Sequence, residues 1–180
     1  MNRFYIITGG QGQGKTSLLK EVISILKNTS IKLKGFYAEG YWENNSRSGF
    51  DLVNVNSNEK VKLCSKKPKQ FWKKIFHYYF NPEAIKIGNS ILNINLPANI
   101  DLVIVDEIGR IDLKGEIWHD ALTKIVKHSD IPIILVVRNT FLKEVIEYWE
   151  LKDPNIFEVG VHHPKEVADE IIKQSIEIIK

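Results

Sequence analysis

Residues 9–16 read Gly9-Gly10-Gln11-Gly12-Gln13-Gly14-Lys15-Thr16 and fill the pattern G-x-x-x-x-G-K-[S/T] at every position. The residues on either side decide how the pattern is taken. Phe4 to Ile7, just before it, form a short continuous apolar run of the kind found in strands buried on both faces. Just after it, from Lys15 to Lys27, Leu18, Leu19, Val22, Ile25 and Leu26 recur at helical spacing. Strand, glycine-rich loop and helix in that order are the setting of a phosphate-binding loop, the Walker A motif. The glycines permit backbone angles that other residues resist, so that N–H groups can close around phosphate oxygens. The positive end of the helix dipole adds to this. Lys15 is expected to reach the β- and γ-phosphates, and Thr16 to hold Mg²⁺ through its hydroxyl. The nucleotide-binding stretch is therefore Gly9, Gly10, Gln11, Gly12, Gln13, Gly14, Lys15, Thr16 and Ser17. Within it, Gln11 and Gln13 read as loop filler rather than specific contacts.

Such a loop needs a carboxylate for the metal, usually at the end of a hydrophobic strand (the Walker B pattern). Leu102-Val103-Ile104-Val105-Asp106 supplies it. Ligands of open parallel sheets bind beyond the carboxyl ends of the strands, so Asp106 is expected to hold Mg²⁺. Glu107 follows at once and is a candidate to orient and polarise an attacking water, which favours hydrolysis over simple binding. Gly109 lets the chain turn away. The chain has only four arginines: Arg3, Arg47, Arg110 and Arg138. Arg138 ends the apolar run Ile133 to Val137, on the same edge as Asp106, and is a candidate to stabilise transition-state charge. Surface ion pairing is the competing reading for Arg138 and the preferred one for Arg110.

Outside these motifs the chain alternates. Leu33 to Trp42, Gly49 to Val55 and Glu59 to Cys64 read as strands separated by Asn44-Asn45-Ser46 and Asn56-Ser57-Asn58, an antiparallel meander inserted at about residues 35–65. Phe71 to Phe80 fits either a strand or a helix. Asn81-Pro82 caps and opens a helix to about Leu92. Further helices are expected at Glu116 to Lys127, Phe141 to Trp149 and Lys165 to Lys180, with strands at Ile133 to Val137 and Ile156 to Val159. The fold class is α/β: a parallel sheet flanked by helices, with right-handed crossovers and a small meander insertion, in one domain of 180 residues.

Composition narrows the function classes. Hydrophobic residues make up 43% and charged residues 26%, which suits a packed core. A net charge of +3 gives no basis for bulk attraction to nucleic acid or membrane. The longest apolar run, Ile131 to Val137, is too short to cross a bilayer, and Met1-Asn2-Arg3 shows no signal-peptide pattern. One cysteine, Cys64, excludes an intrachain disulfide, and a reducing cytoplasm is the natural setting. Trp42, Trp72, Trp118 and Trp149 read as packing residues, although Trp42, Tyr37 and Tyr41 could stack a nucleobase. His162-His163 read as the residues before a helix start at Pro164, not as chelators. Oligomeric state is left open.

Four segments together carry a resemblance: Thr8-Gly9 through Thr16, Gly35-Phe36-Tyr37 with Glu39, Arg47-Ser48-Gly49-Phe50-Asp51, and Val105-Asp106-Glu107-Ile108-Gly109-Arg110. Their order and spacing resemble the nucleoside-triphosphatase family of P-loop proteins, of the thermophile and human cancer-related type. The resemblance implies a RecA-like sheet with a catalytic glutamate after the metal-binding aspartate. It implies slow Mg²⁺-dependent hydrolysis of ATP, GTP, CTP and UTP to diphosphates. It also implies a second nucleotide-contacting segment made of Leu102, Val103, Ile104, Val105, Asp106, Glu107, Ile108 and Gly109. Asp112 departs from the family's usual glutamate, and His162-His163-Pro164 replaces an Asn-Arg-Asp-like element. A nucleotide or small-molecule kinase on the same core, or a nucleotide-binding switch, are the competing functions. No arginine-rich lid of the kind that kinases use is visible beyond Arg110 and Arg138.

Overall fold

The computed structural model describes residues 3–93 and 99–178, with side chains as far as residue 174. Met1, Asn2 and the last two residues of the helix expected to end at Lys180 lie outside them. Five strands run parallel: β1 (Phe4–Gly9), β2 (Leu33–Glu43), β7 (Leu102–Ile108), β8 (Ile133–Arg138) and β9 (Asn155–Glu158). Between β2 and β7 in the chain come β3 (Ser46–Asn54), β4 (Lys60–Ser65), β5 (Lys73–Ile75) and β6 (Tyr78–Phe80), all antiparallel. The nine form one sheet in the order β5-β6-β4-β3-β2-β7-β8-β1-β9.

Alternation along the parallel strands sends successive side chains to opposite faces, and each face has its own core. Tyr5, Ile7, Leu102, Ile104, Ile134 and Val136 pack under α1 (Lys15–Leu26) and α5 (Pro164–Ile178). Phe4, Ile6, Val103, Val105, Ile133 and Leu135 pack under α2 (Pro82–Ile91), α3 (His119–His128) and α4 (Leu142–Tyr148). Two-sided burial explains why these strands read as unbroken apolar runs. Trp118 and Trp149 belong to the second core, as expected of packing residues.

The meander differs from the expectation in one respect. It lies between β2 and β7 in the chain, as expected, but it begins within β2 itself rather than after it. Leu33–Phe36 pair parallel with Leu102–Val105, and Phe36–Glu43 of the same strand pair antiparallel with β3. At the join, Gly35 has φ +136, and a Cβ there would lie 1.9 Å from the Ile104 carbonyl oxygen. Only glycine lets β2 come that close to β7. Phe71–Phe80, open between strand and helix, contains a hairpin of two three-residue strands that turns at Phe76, whose φ is 51°. Asn81 caps α2 as read, its side chain accepting a hydrogen bond from the Glu83 N–H at 3.1 Å.

Candidate active site

β1 delivers the chain at Gly9 into the loop, and α1 begins at Lys15. Gly12 and Gly14 have φ of 76° and 93°, while an added Cβ would meet nothing within 4 Å of Gly12. The demand for glycine at position 12 is therefore conformational, not steric. Gly14 offers α1 no side-chain cap, and the first turn carries no acidic residue. Its orphan amides and positive dipole end are left for an anion. The Lys15 ammonium curls back to the Gly10 carbonyl at 2.8 Å. Burial lowers its pKa, and the nearby Glu107 carboxylate opposes that shift. Gln13, read as filler, folds its amide oxygen onto the Gly10 N–H and so braces the loop. Ser17 is exposed on the first turn of α1.

The sheet order places β8 between β1 and β7, so the loop and Asp106 meet across one intervening strand. They do touch: the Thr16 hydroxyl donates to Asp106 Oδ2 at 2.9 Å. The same oxygen accepts from the Ala38 N–H at 3.0 Å, and Oδ1 accepts from the Glu107 N–H at 2.8 Å. Asp106 is 0% exposed. Burial, with the neighbouring Glu107 charge second, pushes its carboxyl up to about 7 despite the three donors. A buried carboxylate short of positive charge beside a hydroxyl is a donor set of hard oxygens that suits a small divalent cation. No cluster of three or more His, Cys, Asp or Glu among the described residues offers an all-protein metal site.

Glu107 is exposed and has φ 61°, in the left-handed region. The β7–β8 register shifts between Val105 and Ile108, so the chain bulges there. A non-glycine residue held in this conformation costs about 1–3 kcal/mol, and such strain gathers at functional positions. Arg138 closes β8 beside Gly9 in the register, and its charge is felt at Lys15. It has no ion pair among the described residues, so the surface-pairing reading does not hold for it. Nor does it hold for Arg110, which lies over the rings of Phe76 and Phe141 at 5.5 and 5.8 Å.

The segment Leu102–Gly109 divides. Leu102, Val103, Ile104 and Val105 have their side chains at most 1% exposed, in the two cores. At about 3.3 Å per residue, Leu102 lies some 13 Å down the strand from Asp106. These four hold the strand, and Asp106, Glu107, Ile108 and Gly109 follow them at its carboxyl end. Ile108 is itself buried. Asp112 accepts from the Gly109 N–H at 3.1 Å and the Trp118 N–H at 3.2 Å, which fixes the turn after the motif. Tyr37 is buried, and the Lys62 ammonium lies over the Tyr41 ring at 3.9 Å, so neither is a free stacking face. The His162 ring accepts from the Glu158 N–H, and His163 precedes the helix start at Pro164, as read. Cys64 is buried, and burial pushes its thiol up to about 12. Sequence reasoning missed two contributors to this region: the Ala38 amide, and Arg47, whose charge reaches Lys15 from β3.

A sequence profile of a family described as NTPase matches residues 4–172. The chain belongs to that family. Among its members, nucleoside-triphosphatase THEP1 of Thermotoga maritima is 28% identical over 168 residues, spanning 93% of this chain and 92% of that protein. THEP1 of Metallosphaera sedula is 33% identical over 135 residues, 74% of this chain and 70% of that protein. The solution structure of a human cancer-related nucleoside triphosphatase superposes with a TM-score of 0.71 at 21% identity, covering 96% of each chain. The crystal structure of THEP1 from Aquifex aeolicus gives 0.68 at 20%, covering 94% of this chain and 97% of that one. The fold is thus that of this NTPase family, and the protein is a nucleoside-triphosphatase. No described helix is long and apolar enough to cross a membrane.

Proposed function

We propose that the chain is a Mg²⁺-dependent, cytoplasmic hydrolase of ATP, GTP, CTP and UTP with low base selectivity. The observation that carries this reading is the junction of loop and strand end: the Thr16 hydroxyl on the buried Asp106 carboxylate, with strained Glu107 next in line. Thr16 and Asp106 would hold Mg²⁺, which supplies charge neutralisation at the phosphates. The amides of the loop and of the first turn of α1 bind phosphate oxygens, and Lys15 moves from the Gly10 carbonyl to them. Glu107 accepts a proton from a water. The water oxygen bonds to the γ-phosphorus as the bond to the β–γ bridging oxygen breaks, leaving the nucleoside diphosphate and inorganic phosphate. Arg138, beside Gly9, takes up charge that develops on the γ-oxygens. Every one of these contacts is to phosphate or water, and none reads a base. Measured kcat/KM for the four triphosphates is therefore expected to lie within about 10²-fold.

The test is phosphate release from each triphosphate with Mg²⁺, with and without phosphoryl acceptors. Glu107→Gln is expected to keep nucleotide binding while turnover falls by roughly 10²–10⁴. Asp106→Asn is expected to weaken Mg²⁺-nucleotide affinity as well. Wild-type turnover by Glu107→Gln would falsify the general-base role. Acceptor phosphorylation that outpaces phosphate release would replace the hydrolase with a kinase.

A further inference from the structure

The four arginines are used very unequally. Arg3 donates from Nη2 to the Ile125 and Val126 carbonyls at 3.1 and 2.7 Å and has Asp130 at 3.7 Å, although its Nε is buried without a partner. Arg110 lies between two rings. Arg47, in β3, has no carboxylate partner among the described residues. Its guanidinium is held over Trp42 at 5.1 Å and Phe50 at 5.4 Å, and its Nε is buried without a hydrogen-bond partner. The strand register places it directly across from Trp42, just past a bulge at Tyr41/Trp42. Gly40 leaves the slot it occupies, since a Cβ there would lie 3.1 Å from Nε. Gly40 is two residues along β2 from Ala38, whose N–H holds Asp106. At about 3.3 Å per residue, the part of β2 that the Arg47 side chain crosses lies about 7 Å along the strand from that amide, and the Arg47 charge is felt at Lys15.

This placement is unfavourable in the protein alone. Arg47 is half-buried, and ring faces compensate its charge less than a carboxylate would. Meanwhile it repels Lys15, as Arg138 also does. Lys15 thus feels two cations, Arg138 and Arg47, as well as two carboxylates, Glu107 and Asp106. Packing alone gives no reason for a charge here, because Trp42 is 61% exposed and any apolar side chain could lie on it. An anion between the phosphate loop and β3 removes the repulsion and satisfies the idle Nε.

We propose that Arg47 is a further catalytic residue: its guanidinium bonds the γ-phosphoryl oxygens from the β2–β3 side of the site and stabilises the charge that builds on them during transfer. The inference rests on the hydrolase reading and adds a second in-chain arginine to it. Arg47 is held by rings rather than by a carboxylate, so it arrives with its donors free. The planar fork matters, because two γ-oxygens can be bonded at once.

The experiment compares wild type, Arg47→Ala and Arg47→Lys in three measurements. These are kcat and KM for ATP, the dissociation constant of Mg²⁺-ADP, and the extra affinity that aluminium fluoride, a mimic of the transferring phosphoryl group, gives to bound Mg²⁺-ADP. For Arg47→Ala the expected result is kcat lower by roughly 10²–10⁴, ADP affinity within about threefold, and loss of the aluminium fluoride effect. Arg47→Lys is expected to recover only part, and it decides the matter on the same readouts if the alanine variant does not fold. Turnover of either variant within threefold of a turning-over wild type overturns the proposal. So does an equal loss of the ADP and aluminium fluoride complexes, which marks a packing role. A wild type that releases no phosphate overturns the hydrolase reading itself, and is distinguishable on that ground.

Discussion

Lys15 is the one side-chain cation in the loop itself, and its ammonium is already parked on the loop's own Gly10 carbonyl. Lys15→Ala removes that contact and the cation that would replace it at the phosphates. We expect turnover to fall at least about 10²-fold and triphosphate affinity to drop, with an unchanged circular dichroism spectrum. Unaltered turnover would mean that the phosphates lie elsewhere. At this scale the sequence was informative wherever function is local in the chain. Gly9–Thr16 and Asp106-Glu107 are contiguous motifs, and what they do follows from neighbours one to four residues away. Arg47 was not legible in that way. It stands in a quoted segment, but its direction depends on the register of β2 against β3, a bulge at Tyr41/Trp42 and the empty slot at Gly40. The burial of Leu102–Val105 was legible from their apolarity.

Among the elements, β2 and α2 show how tightly the meander is tied to the rest. Gly35→Ala would drive a Cβ into the Ile104 carbonyl at a φ that disfavours side chains. The expected loss is about 2–4 kcal/mol by urea denaturation, carried by a broken β2–β7 edge. Asn81 is doubly used: it caps Glu83 and donates from Nδ2 to the Lys62 carbonyl, joining α2 to β4. Asn81→Ala is expected to cost about 1–2 kcal/mol, and Asn81→Asp to restore the cap alone. An alanine variant of wild-type stability would show that the cap is dispensable. The hairpin at Lys73–Phe80 was the element least legible beforehand. Its strands are three residues long, and its turn uses Phe76 at positive φ, where a bulky residue is not expected.

At the scale of the whole molecule, two buried carboxyls set the response to pH. Burial pushes both Asp106 and Asp112 up to about 7, against about 3.9 in an unfolded chain. Between these values the folded chain holds protons that the unfolded chain has released. Stability from this source is complete below about pH 4 and is lost as pH rises through 7. The Tm of metal-free protein is thus expected to fall from pH 5 to pH 8, and Asp112→Asn to flatten that slope. A divalent cation offsets only Asp106, so it should raise Tm more at pH 8 than at pH 5. A metal-free Tm that climbs over this range would rule the account out. The alternation of strands and helices made the parallel half of the sheet legible. That β2 serves both halves was not, because Gly35 alone marks the join and a single glycine does not show which strands meet there.

The position of β1 between β8 and β9 has a consequence for how the chain comes into being. Phe4–Gly9 is synthesised more than a hundred residues ahead of its sheet neighbours, Ile133–Arg138 and Asn155–Glu158. At about 5–20 residues per second it waits on the order of ten seconds for them on the ribosome. The hairpins of β2, β3 and β4 close on local contacts long before that. The segment that opens the phosphate loop is therefore made well before its partners and is among the last to be seated. A nascent chain halted before residue 133 carries the whole of Gly9–Ser17 and still has no strand to anchor it. Nucleotide capture by stalled chains of increasing length should switch on only after β8 has emerged, which makes it a clock for completion of the parallel half.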